Sequence, residues 1–117
     1  MKILHVESGK HFYGGARQVA YIIEGLARLG IKNMLACPLG AEIAQHVSGY
    51  AKLCEIPMKG DADIGMTGRL ADIIRKHRPD IVHLHSRRGA DIWGGLAAKR
   101  TGTPCVLSRR VDNPEPR

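Results

Sequence analysis

The sequence predicts an α/β fold: a parallel sheet of about five strands with helices on both faces. Two observations predict it. Short apolar runs alternate with longer stretches whose apolar residues recur at i, i+3, i+4 and i+7, and glycine or proline closes most segments. The alternation holds from end to end, β-α-β-α-β-α-β-α-β, as right-handed β-α-β crossovers require. The simplest sheet order for that series is 3-2-1-4-5, a Rossmann-like arrangement.

The first strand is Lys2 to Val6, a short apolar run interrupted by His5. The polar segment Glu7 to Gly15 follows, and Ala16 to Leu29 reads as a helix packed by Val19, Ile22, Ile23, Leu26 and Leu29. Gly30 stands where a helix stop belongs. Asn33 to Cys37 is the second strand, ended by Pro38 and Gly40. Glu42 to Val47 is a short helix, and Lys52 to Ile56 an edge strand closed by Pro57. Gly60 to Gly68 reads as a loop. The third helix carries Leu70, Ile73, Ile74 and His77 on one face, and Arg69, Asp72, Arg75 and Lys76 on the other. Arg78-Pro79-Asp80 ends it, because a residue before proline resists helical geometry. Ile81 to Leu84 is the fourth strand, Arg88 to Arg100 a helix with small residues on one face, and Cys105 to Leu107 the fifth strand.

Composition narrows the function. A chain of 117 residues can bury one modest core. It has no apolar run long enough to span a bilayer and no secretory leader, so a cytoplasmic setting is expected. Cys37, Cys54 and Cys105 lie far apart among apolar neighbours and read as buried, reduced thiols. The net charge is +7; the positive residues are spread along the chain, with a local concentration from Arg69 to Arg88 and a tail containing Arg109, Arg110 and Arg117. Such a surface suits anions: polynucleotide, acidic lipid headgroups or phosphorylated small molecules. One Trp, three Tyr and one Phe are too few for a base-stacking platform, so nucleic acid is not the expected partner. The basic face of the third helix reads first as a solvated face, with a membrane-surface role as the alternative.

In a sheet of this order, ligands bind at the carboxyl ends of the strands near the point where the order reverses. The segments meeting there are Glu7 to Gly15, His85 to Arg88, and Ser108 to Arg110. Gly14 and Gly15 precede a helix N-terminus, where amide groups and the helix dipole favour an anion. His11, His85, Arg87, Arg88, Arg109 and Arg110 add a phosphate-seeking surface. His83 and His85 share a face of the fourth strand. A metal would need a third ligand at a recognisable spacing, and the linear sequence offers none; no metal site is expected. His83 reads as a hydrogen-bonded histidine within the sheet, His85 as the one nearer a ligand, and His5 as structural. Glu7 and Asp91 form no evident carboxylate pair.

Taken in order, Lys2-Ile3-Leu4-His5-Val6, Gly14-Gly15-Ala16, Asp80-Ile81-Val82-His83-Leu84-His85-Ser86 and Gly102-Thr103-Pro104-Cys105-Val106 resemble the N-terminal domain of family 4 retaining glycosyltransferases of the GT-B fold. The resemblance implies an acceptor-side domain over residues 1–117, with a donor-binding C-terminal domain beyond this sequence. On that expectation the chain is a truncated half, inactive alone; the alternative is a complete small domain with a disordered basic tail. It further implies a nucleotide-sugar donor and a sugar or lipid-linked acceptor in envelope polysaccharide, lipopolysaccharide or glycolipid synthesis. Peripheral membrane contact is allowed, and neither cofactor nor metal is expected. Gly14 and Gly15 would approach the donor diphosphate, and His85 would line the cleft. The family's histidine after the fifth strand is replaced by Ser108-Arg109-Arg110-Val111-Asp112. Two other readings stand beside this one: a non-catalytic anion- or nucleic-acid-binding module, and a nucleotide-sugar epimerase of the same fold.

Overall fold

The computed structural model describes residues 1–7, 14–57, 65–86 and 90–109. Five parallel strands, β1 (Lys2–Glu7), β2 (Lys32–Pro38), β3 (Ala51–Ile56), β4 (Ile81–Ser86) and β5 (Cys105–Arg109), form one sheet of order β3-β2-β1-β4-β5. The helices are α1 (Gly14–Arg28), α2 (Ile43–Val47), α3 (Gly65–His77) and α4 (Ala90–Thr101). The fold class and strand order are those expected from the sequence. A parallel sheet covered on both faces needs apolar strands, and β1 and β2 are buried along nearly their whole length.

The core divides at the sheet. On one face Leu4, Val6, Met34, Ala36, Val82 and Leu84 meet Met66, Leu70 and Ile74 of α3 and Ala97 and Ala98 of α4. On the other, Leu35 and Cys37 meet Ala16, Val19, Ala20 and Ile23 of α1 and the buried side of α2. This alternation along each strand sends His5, Glu7, His83 and His85 to the α1 face, because residues of odd number in β1 and β4 share it.

Several boundaries differ from expectation. Helix α3 begins at Gly65, not beyond Gly68. Met66 is buried against the sheet and Thr67 is buried beside it in sequence, and that burial outweighs the poor helix propensity of Gly65 and Gly68. Strand β4 runs on through His85 and Ser86, and β5 through Arg109, because the two pair along that length: His85 with Ser108, Ser86 with Arg109. Leu29 lies beyond the last turn of α1 and is 77% exposed, so it is no part of the core. Cys105 is exposed and Cys54 half-buried; of the three free thiols only Cys37 is buried as expected. Cys105 lies on β5, which among the described residues is an edge strand.

Helix stops follow local chemistry. Gly30 takes φ 86°, and the Ile31 amide returns to Leu26 O at 3.1 Å. Arg78 performs the same turn for α3 at φ 51°, a left-handed conformation that costs a side chain with a Cβ. Its amide donates to Ile74 O at 2.7 Å. Asp80 then clamps the start of β1: its side chain accepts from the Lys2 amide and its own amide donates to Lys2 O, both at 2.8 Å. These bonds hold β4 in register beside β1. Among the described residues no helix is long and apolar enough to cross a membrane.

Candidate functional site at the carboxyl edge

The sheet order places β1 and β4 side by side with β5 next, so their carboxyl ends form one continuous edge. Glu7 stands opposite His85, His85 opposite Ser108, and Ser86 opposite Arg109. Helix α1 starts at Gly14, so Gly14 and Gly15 form its first turn, where amide groups precede the helical hydrogen-bond ladder. Arg109 is the last residue of β5. His11, Arg87, Arg88 and Arg110 lie outside the described residues.

Beneath that edge lies a buried polar chain that the linear sequence did not reveal. Asn33, almost fully buried, donates through Nδ2 to Ile23 O at 3.2 Å and Ile31 O at 3.3 Å. Two carbonyls at one end of the amide identify that end as the NH2, so Oδ1 is the acceptor. It lies 2.9 Å from His5 Nε2, which therefore carries the proton. His5 Nδ1 is then an acceptor, and His85 Nε2 donates to it at 3.0 Å. The tautomers of two histidines thus follow from one asparagine. The signal for Asn33 was available: an amide entering an otherwise apolar strand must find buried partners.

Burial holds His5 well below the usual imidazole range, to about 4; the Asn33 bond partly opposes this and neighbouring His83 adds to it. His5 is accordingly neutral at physiological pH. Burial also lowers His83. Of the β4 pair, His85 is the inward ring, 1% exposed, and His83 the half-buried one. His85, expected as the residue nearer a ligand, makes a buried hydrogen bond of its own: His5, reaching from β1, pairs with it rather than with His83 directly opposite.

The three rings are close, with centroids 5.6 Å apart for His5 and His83, 5.2 Å for His5 and His85, and 3.9 Å for His83 and His85. The third histidine sought beside His83 and His85 is His5, distant in sequence and adjacent only through strand pairing. Glu7 is also buried at this edge, and its Oε1 makes no hydrogen bond among the described residues. Nearby Cys37 has its thiol pushed up to about 12, first by burial, then by the charges of Glu55 and its other neighbours, Glu7 among them. It is no nucleophile.

The opposite, amino-terminal edge carries a shallow hollow of about 470 Å³ lined by Lys2, Lys32, Lys52 and His77 among others. His77 is held below its usual range by burial and by the charges of Lys52, Lys76 and Lys2. Part of the basic surplus is therefore spent away from the carboxyl edge.

A parallel 3-2-1-4-5 sheet with a helix N-terminus at its reversal point defines a Rossmann-like α/β protein. The chain belongs to Glycosyltransferase Family 4, whose model matches residues 12–110. No curated protein matches it. Among solved structures, a glycosyltransferase from Rickettsia africae is similar at 23% identity and TM-score 0.73, over 91% of this chain and 28% of that one. MurG from Acinetobacter baumannii is similar at 14% identity and TM-score 0.72, over 93% and 35%. The UDP-GlcNAc 2-epimerase of Neisseria meningitidis, bound to UDP-GlcNAc, is similar at 20% identity and TM-score 0.71, over 92% and 32%. At these identities the likeness is one of fold. The chain spans about a third or less of each of these structures.

Proposed function

We propose that this chain is the acceptor-side half of a two-domain retaining glycosyltransferase. The whole protein moves a sugar from a nucleotide-diphosphate donor to a sugar or lipid-linked acceptor of the cell envelope. Family membership supports transfer, and one observation supports the location: the first turn of α1 and the ends of β4 and β5 share the same edge of the sheet. In this reading the amides of Gly14 and Gly15 face the donor diphosphate. Negative charge builds on that group as the sugar leaves, and amides fixed at a helix N-terminus stabilise it without reorganising. Glycine at both positions lets the diphosphate approach the backbone. Arg109, the last residue of β5, together with Arg87, Arg88, Arg110 and His11, meets an anionic acceptor or the membrane that holds it. His85 acts from beneath, holding the end of β4 against β1. The missing half supplies most of the donor contacts, and the protein works at the inner face of the membrane.

The experiment is a donor panel presented to the full-length protein, with products read by mass spectrometry. Transfer to an acceptor, or slow donor hydrolysis, is expected. Gly15→Leu should lower kcat by roughly a hundredfold while the fold persists, the scale of losing an oriented donor to a developing anion. Absence of any turnover across the panel would sink the proposal. The epimerase reading draws on the likeness to the Neisseria enzyme, and it predicts a C2-inverted nucleotide sugar with no acceptor consumed. A polyanion-binding module predicts salt-sensitive oligonucleotide binding instead.

A further inference from the structure

Strand pairing gathers three of the six histidines at one place. His5 lies opposite His83 in the β1–β4 register, and His85 follows two residues along the same face. Each contributes one ring nitrogen, and these nitrogens all lie within 4.8 Å of one another. Imidazole nitrogens bind zinc at about 2.0–2.1 Å, so a tetrahedral set stands roughly 3.3 Å apart. The His5 Nδ1 to His85 Nε2 separation of 3.0 Å is already close to that value.

Two further observations separate this cluster from a chance meeting of rings. A metal-binding imidazole works best when its other nitrogen donates to a fixed acceptor, which sets tautomer and ring orientation. Asn33 Oδ1 does this for His5, leaving the Nδ1 lone pair directed at the cluster. There is also a way in. His83 is only half-buried, and Val106, its register partner on β5, is 49% exposed. Among the described residues the α1 face of the sheet is thus reached by solvent at His83 and Val106, while His5 and His85 are enclosed.

We propose that His5, His83 and His85 form a three-histidine site for a divalent first-row transition ion, zinc foremost. Three neutral nitrogen ligands of borderline softness select such ions over magnesium or calcium, which take oxygen. Binding replaces the His5–His85 hydrogen bond: His85 changes tautomer, its Nε2 proton being lost to solvent as Nδ1 takes one up, and the freed Nε2 lone pair joins the ion with the ring still neutral. No electron changes hands. A fourth position remains on the His83 side for water. The ion ties β1 to β4, the strands whose carboxyl ends bound the candidate cleft. The site is independent of which reaction the whole protein performs.

The chain, without an affinity tag and stripped with chelator, is titrated with Co²⁺ and then Zn²⁺. Saturable one-to-one binding is expected, with a visible ligand-field spectrum that zinc abolishes. Zinc at a hundredfold excess over Kd should raise Tm by several degrees. His83→Ala, at the most exposed ligand, should weaken binding at least tenfold; His46→Ala, at an exposed histidine on α2, should not. Should His83→Ala fail to fold, the unmodified protein still decides the matter. Zinc must then move the ring resonances of His5, His83 and His85 and leave those of His46 and His77 in place. No saturable binding by the folded chain, equal binding by a folded His83→Ala, or shifts confined to His46 and His77 would overturn the site.

Discussion

Asn33→Leu tests the buried polar chain directly. Leucine has nearly the same shape but cannot make the bonds to His5, Ile23 and Ile31. Three hydrogen bonds at about 1 kcal/mol each set the first part of the loss. Leaving the His5 Nε2–H buried without an acceptor adds about 1–3 kcal/mol, and the apolar surface gained by leucine returns about 1–2 kcal/mol. The expected net loss is about 3 kcal/mol, which for a chain this size lowers the urea midpoint by roughly 2 M. The sharper measurement is the double-mutant cycle with His5→Leu, run with chelator present. Once Asn33 is gone, removing His5 deletes an already orphaned donor, so the two changes should couple by about 1–2 kcal/mol. Additivity within about 0.5 kcal/mol would refute the tautomer assignment and the chain built on it.

Other expectations follow from the same geometry. His5 has an unfolded value of 6.5 and a folded value of about 4, so the unfolded chain binds the extra proton. Its contribution of roughly 3 kcal/mol is therefore complete above pH 6.5 and lost as pH falls towards 4, and His5→Leu should flatten that slope in chelator-treated samples. Arg78→Gly relieves a left-handed residue and should gain about 0.5–1 kcal/mol, raising Tm by about 2–5 °C in a thermal melt. Under native conditions a thiol reagent should modify Cys105 first and Cys37 only on unfolding, as read by peptide mass mapping; equal rates would contradict the packing of the α1 face.

The sequence by itself determined the order of elements, the sheet class and the order of its strands. Those properties are local or nearly so. Apolar period separates strand from helix, Gly30 and Pro79 mark stops, and a parallel α/β series admits few strand orders. Even Gly14-Gly15 at a helix start was legible, because a strand-loop-helix unit needs only neighbouring residues. Tertiary structure alone decided the partnership of His5 with His85 and Asn33, the meeting of three histidine rings, and the burial of Glu7. Each depends on lateral neighbours: β1 lies against β2 on one side and β4 on the other, so residues separated by 28 and 80 positions become hydrogen-bonded contacts. The strand order was legible, but linear spacing carries no record of which side chains meet across neighbouring strands, so a cluster assembled across a sheet has no spacing to read. The start of α3 at Gly65 was hidden for a related reason. Propensity argued against it, and only Met66, packed on a surface built elsewhere in the chain, with the buried Thr67 beside it in sequence, outweighed that argument.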